Sequence, residues 1–126
     1  MEPLVVCDTN IFIEFYKNNI EICEELKAIG QKGIALSSVT EAELIYGAFN
    51  KNELIHIQKD LSVLTHLPIT VAISNRAIKL LTKYSLSHRL NLPDALIAAT
   101  VLEADLPLFT LNRKDFQYIP DLKMWR

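Results

Sequence analysis

Short continuous apolar runs alternate along this chain with longer stretches whose apolar residues recur every three or four positions. Residues 4–8 begin with the run Leu4-Val5-Val6-Cys7, the pattern of a short buried strand. Residues 9–17 carry Ile11, Phe12, Phe15 and Tyr16 at helical spacing, with Asp8 or Thr9 available as the cap. A second helix is predicted over 20–29, with Ile22, Cys23, Leu26 and Ile29 on one face and Gly30 and Gly33 closing it. Then follow a strand at 34–37, a helix at 41–50 with Ala42, Ile45 and Phe49 inward, and a helix at 53–66 striped by Ile57, Leu61 and Leu64. A third strand is expected at 68–71 and a helix at 75–86 through Ala77, Ile78, Leu81 and Tyr84. A polar loop at 87–92 leads to 94–104, apolar nearly all round as a central helix is. A fourth strand at 106–110, a turn at 113–116 and a last short strand at 122–125 complete the pattern.

Strands alternating with helices imply an α/β fold with a central parallel sheet, in which functional residues gather beyond the carboxyl ends of the strands. Four carboxylates stand at such junctions. Asp8 ends the first apolar run, Glu43 follows Ser37-Ser38-Val39-Thr40, Asp94 heads the apolar helix, and Asp115 follows Leu108-Phe109-Thr110. An ionised carboxylate beside a core is costly unless something compensates it. Four brought together repel one another and call for divalent cations.

Each acid also has a purely structural role open to it. Asp8 can cap the first helix, although Thr9 can do so equally well and leave Asp8 free. Glu43 can close a capping box with Thr40, while Ser38 and Glu41 offer another box that leaves Glu43 spare. Asp94 can serve the dipole of a helix that Pro93 starts, and Asp115 can pair with Asn112 as cap and third residue.

Composition narrows the chemistry. The chain has 126 residues, half of them hydrophobic, which fits one domain over 1–126 with one compact core. The net charge of −2 argues against a broad nucleic-acid-binding surface, though not against an RNA-cleaving site where metal ions supply positive charge. Cys7 and Cys23 are read as reduced core residues, and His56, His66 and His88 lack ligand spacing. Three scattered glycines make no phosphate-cradling loop, and no Gly-x-Ser-x-Gly turn presents a nucleophile. With no signal peptide pattern and no membrane-length apolar run, a cytoplasmic protein without membrane contact is expected.

Four segments together carry a family likeness: Val6-Cys7-Asp8-Thr9-Asn10, Thr40-Glu41-Ala42-Glu43-Leu44, Pro93-Asp94-Ala95-Leu96-Ile97-Ala98-Ala99 and Thr110-Leu111-Asn112-Arg113-Lys114-Asp115-Phe116. In this order, over essentially the whole chain, they resemble the PIN-domain ribonucleases, and most closely the VapC-type toxins of toxin–antitoxin pairs. The resemblance implies a three-layer α/β/α sandwich around a parallel sheet. It implies an Mg2+- or Mn2+-dependent endoribonuclease whose acidic set falls on Asp8, Glu43, Asp94 and Asp115, with Thr9 and Asn112 in support. A homodimer and a small VapB-like antitoxin, giving a heterotetramer or larger, are also implied.

The chemistry of the residues agrees with that likeness. Asp8 and Asp94 suit direct ligation, Glu43 a second ion or the attacking water, and Asp115 a contact through water. Water would then attack in line and leave a 5′-phosphate. Arg89, Arg113, Lys114 and Lys17 are candidates for guiding RNA. Apolar residues crowd 11–29, from Ile11, Phe12, Phe15 and Tyr16 to Ile20, Ile22, Leu26 and Ile29, and predict a surface groove for an amphipathic helix of the antitoxin. Two other α/β readings fit poorly. A receiver-type phosphoacceptor needs a second acid beside Asp8, and a haloacid-dehalogenase-like phosphatase needs one where Asn10 stands. A catalytically silent module of the same fold is the remaining alternative, against which the complete acidic set argues.

Overall fold

The computed structural model describes residues 3–126; Met1 and Glu2, the start of the span expected to form one domain, lie outside the described residues. Strand β1 (Val5–Cys7) leads directly into α1 (Thr9–Tyr16), followed by α2 (Ile20–Ile29). Next come β2 (Ile34–Ser37), α3 (Ser38–Tyr46), α4 (Lys51–Leu61) and β3 (Thr65–Leu67). The chain then forms α5 (Val71–His88), α6 (Leu92–Ala104) and β4 (Leu108–Phe109), with a 3-10 turn over Arg113–Asp115.

The sheet is parallel and ordered β3-β2-β1-β4. Side chains alternate across it. Val5, Cys7, Ile34 and Leu36 face the layer of α1, α2 and α4, while Val6, Ala35 and Leu108 face α6 and the segment holding Phe116 and Ile119. Both faces are covered, which is why the strands read as unbroken apolar runs. Helix α5 packs on α6 through Ile73, Ala77, Ala95 and Ala99. The expected three-layer α/β/α sandwich is thereby observed.

The chain starts in the middle of the sheet, builds outward through β2 and β3, then returns to the other side of β1. The gap between β1 and β4 is therefore the switch point at which open α/β sheets place their ligands.

Several boundaries differ from those expected. Helix α3 starts at Ser38 because Ser37, not Ser38 or Thr40, is its cap, accepting the Thr40 N–H at 3.2 Å. It stops at Gly47, so Ala42 is exposed and Phe49, 91% exposed, lies beyond the helix; Thr40 and Leu44 point inward instead. Helix α4 ends at Leu61, and β3 occupies 65–67 rather than 68–71, where Pro68 lacks the N–H a ladder needs. Helix α5 begins at Val71, capped by Thr70, and its inward face runs through Ile73 and Ala77 while Ile78 is exposed. Asn91 caps α6, making Pro93 its second residue and Asp94 its third. The last expected strand is reduced to one parallel bridge between Leu108 and Met124.

The predicted groove exists, with a changed lining. Ile11 and Ile22 are core, and Ile20 projects into solvent. Phe12, Phe15, Tyr16 and Leu26 form one wall, and Leu61 at the end of α4 and Leu64 just beyond it form the other, enclosing about 680 Å3. The Tyr16 hydroxyl donates to Asp60 Oδ2 at 2.8 Å, tying α1 to α4 along this groove. Cys23 lines the groove half-buried rather than standing in the core, whereas Cys7 is fully buried and its thiol is pushed up to about 12, by burial first and by Asp8 second.

Candidate active site

Asp8 caps α1 and also belongs to the acid cluster, so the two roles are not exclusive. Its backbone is extended (φ −70, ψ 161), and Oδ1 accepts the Thr9 N–H at 2.8 Å. Its other oxygen, Oδ2, accepts the Thr110 hydroxyl at 2.8 Å. Only 6% of Asp8 is exposed. Thr110 follows β4, so this one hydrogen bond closes the switch point between β1 and β4. The Thr110 Oγ1 in turn accepts the Asn112 N–H at 3.0 Å and the Asn10 side-chain amide at 3.4 Å. Asn10 Oδ1 accepts the Leu111 N–H at 3.3 Å, stitching α1 to the loop after β4 a second time.

Glu43 is the sixth residue of α3, not a first-turn acid, because the helix starts earlier than expected. Its exposed side chain reaches across to α1, where Oε1 accepts the Thr9 hydroxyl at 2.6 Å. Thr40 Oγ1 lies 3.1 Å from the same hydroxyl. Asp94 sits half-buried in the first turn of α6, with Asn91 Oδ1 accepting its N–H at 2.9 Å. Asp115, exposed, ends the 3-10 turn, held by its N–H to Asn112 O at 3.0 Å.

These acids sense one another. Asp94 is raised to about 6, first by burial and then by the charges of Asp8, Asp115 and Glu43. Asp8 is also raised, chiefly by burial, against the opposing hydrogen bonds from Thr110 and Thr9; Glu43 and Asp115 add to the rise. Among the described residues no three His, Cys, Asp or Glu side chains stand close enough to hold a metal ion as they are placed. The acids thus share a field without forming a finished ligand shell, as like charges facing each other do.

The supporting positions divide. Thr9 is engaged with Glu43, while Asn112 joins the site through its backbone and its side chain makes no capping hydrogen bond. Arg89 follows α5 in a left-handed conformation (φ 56), exposed, on the loop leading to Asp94. Arg113 and Lys114 are exposed beside Asp115, and Arg113 donates to the Arg126 carbonyl at 2.7 Å. Lys17 is placed elsewhere, at the far end of α1, paired with Glu14 at 3.6 Å. Sequence reasoning missed Thr110, Asn10 and Thr40. The visible signal was a hydroxyl at the end of an apolar run, but its partner Asp8 is 102 positions away.

Thr110→Val should therefore unseat Asp8. It deprives a buried carboxylate of its donor, and a hydrogen bond to a charged group is worth about 1.5–3 kcal/mol. Urea unfolding at pH 7 should show a loss of that size, shrinking as the pH falls and Asp8 takes up a proton. An unchanged midpoint at pH 7 would contradict this role for Thr110.

Four acids that sense one another at the switch point of a parallel α/β sheet set the class of the fold and of its site, and comparison gives the family. Residues 5–122 match the PIN domain, and the chain belongs to that family. It is 32% identical over 122 residues to Ribonuclease VapC10 of Mycobacterium tuberculosis, spanning 95% of this chain and 91% of that protein. Among solved structures, it resembles a toxin-antitoxin complex from Klebsiella pneumoniae, with 32% identity, a TM-score of 0.80 and 94% of each chain covered. It also resembles VapBC-1 from nontypeable Haemophilus influenzae, with 28% identity, a TM-score of 0.81 and 97% and 96% of the two chains covered.

Proposed function

We propose that this chain is a VapC-type endoribonuclease, a single PIN domain over 1–126 that acts in the cytoplasm as the toxin of a toxin–antitoxin pair. The observation that carries the proposal is the convergence of Asp8, Glu43, Asp94 and Asp115 from distant parts of the chain on the switch point of the sheet, close enough that the other three charges add to the burial that raises Asp94. The family and the relatives named Ribonuclease VapC10 point the same way.

The donor set is oxygen only, the chemistry that Mg2+ or Mn2+ takes. In this reading Asp8 and Asp94 hold the cation directly, Glu43 serves a second ion or orients water, and Asp115 contributes through water. A bound divalent cation supplies Lewis acidity toward water and a phosphate within its reach. The chain's own residues supply position. Thr110 and the Thr9 N–H fix both Asp8 oxygens, and the Thr9 hydroxyl fixes Glu43. In this reading Arg89, Arg113 and Lys114 meet RNA phosphates; their exposure on the loops beside Asp94 and Asp115 supports it, whereas Lys17 sits at the far end of α1 beside Glu14.

The partner in this proposal is a small VapB-like antitoxin whose amphipathic helix lies in the groove between α1, α2 and α4, on homodimers that assemble into a heterotetramer or larger. The apolar lining of that groove and the relatives solved as toxin–antitoxin complexes support it. Among the described residues no helix is long and apolar enough to cross a membrane.

Cleavage of RNA by the purified chain tests the activity. Cutting should require Mg2+ or Mn2+, stop with EDTA and leave 5′-phosphate ends. Undiminished cutting in EDTA, or ends bearing 2′,3′-cyclic phosphates, would exclude the metal-dependent reading.

A further inference from the structure

We infer that His88 is a stacking platform for a nucleobase of the RNA substrate, set at the edge of the acid cluster. The inference rests on the ribonuclease reading and adds to it a residue that grips a base rather than a phosphate.

Three rings are locked together at the end of α5. His88 lies parallel to Tyr118, with centroids 4.0 Å apart and planes 14° apart. Tyr84 meets both edge-on, at 5.5 Å from His88 and 5.1 Å from Tyr118. The His88 ring is further held by Ser87 Oγ, 2.8 Å from Nδ1. Tyr118 covers one face of the ring and Tyr84 meets it edge-on, yet the residue is exposed, so the stack reaches solvent at His88. A preset ring loses little freedom when a base joins it, and a base can extend a stack regardless of its hydrogen-bonding edge.

The stack is beside the acids. His88 is the last residue of α5, and the short connection Arg89-Leu90-Asn91 leads straight to α6, whose third residue is Asp94. Leu90 is buried and anchors that connection. Tyr118 comes soon after Asp115, and Asp94 and Asp115 raise its phenol after burial does. The Tyr118 hydroxyl is buried without a hydrogen-bond partner among the described residues, so the ring's position is set by its neighbours' packing. Lys83, 5.5 Å from the Tyr84 ring centroid, and Arg89 add positive charge around the rings, as single-stranded nucleic-acid sites do. A base on His88 would place the adjoining phosphates toward the carboxylates.

The test uses RNA oligonucleotides carrying 2-aminopurine at successive positions, mixed with the intact chain in EDTA. Wild type should quench the fluorescence at one position near the cleavage site. His88→Ala should lose that quenching and His88→Phe should keep it. In Mg2+ or Mn2+, His88→Ala should raise KM by about 5- to 100-fold, with the loss in KM rather than in kcat, and His88→Phe should restore it. Equal unfolding midpoints for the variants would exclude a folding defect. If wild type cleaves RNA while no position is quenched, or if His88→Ala binds and cuts as wild type does, the platform is wrong and the ribonuclease reading survives. If quenching depends on the ring while no RNA is cut with either metal, the platform stands and the ribonuclease reading fails.

Discussion

Asp94→Asn should leave RNA uncut and yet make the metal-free protein harder to unfold. The amide keeps the size of the side chain and removes the charge that would hold a cation. Loss of groups that merely orient metal ligands costs about 10–100-fold, so loss of a direct ligand should reduce cleavage by more than about 100-fold. The stability gain follows from linkage. Asp94 is raised to about 6 in the folded chain, above its ordinary carboxylate range, so the folded state binds the extra proton. Metal-free stability should therefore fall as the pH rises from about 4 to about 6. A shift of this size would be worth up to about 3 kcal/mol, and solvent around the half-buried side chain reduces that to roughly 1–2 kcal/mol. Asn carries no such charge, so the variant should gain that amount at pH 7 and lose Asp94's share of the pH slope, while Asp8, also raised by its burial, keeps its own. Millimolar Mg2+ or Mn2+ should stabilise wild type and leave the variant unmoved. Full cleavage by Asp94→Asn, or an equal metal response from both proteins, would remove Asp94 from the site.

The second large effect belongs to Phe116. It is 0% exposed and packs with Val6, Ala35, Ile97 and Leu108 under the sheet. Phe116→Ala should cost about 3–5 kcal/mol through lost burial and the cavity left behind. That is a large share of the ~5–15 kcal/mol that holds a domain together. Phe116 also pins a segment with functional neighbours, since Asp115 precedes it and Tyr118 follows two residues later. Cleavage by the molecules still folded should fall as well. Phe116→Leu, which keeps much of the volume, should recover most of both losses. Denaturant midpoints and cleavage rates measured well below the transition separate the two effects. A stable Phe116→Ala protein would show that this ring does not anchor the segment.

The sequence patterns revealed the parts of this molecule whose causes are local. Leu4-Val5-Val6-Cys7 read as a strand because both faces of the sheet are covered. The four acids stood out because a carboxylate next to an apolar run needs a reason. Helix starts were less legible, since Ser37, Thr70 and Asn91 cap turns whose first residues do not yet follow the apolar stripe. Strand β3 was hidden because it has three residues, none fully buried, and Leu61 and Leu64 before it continue a helical rhythm. The bond from Thr110 to Asp8 and the stack of His88 on Tyr118 were invisible, because each joins residues that only the folded topology brings together.

The order of the strands also sets a timetable. The first strand made lies between β2 and β4, and its aspartate must wait for Thr110, 102 positions later, to fill its second oxygen. Synthesis runs from the amino end, so β1 is made long before β4, although a single domain generally folds as a unit. Every residue that lines the apolar groove, from Phe12 on α1 to Leu64 just after α4, precedes β4 and Asp115 in the chain, although Phe109 and Trp125 pack against the core beneath it. Groove and acid cluster are thus divided unequally along the chain: a cut after Leu64 would keep all of the groove's lining and remove Thr110, Asp94 and Asp115.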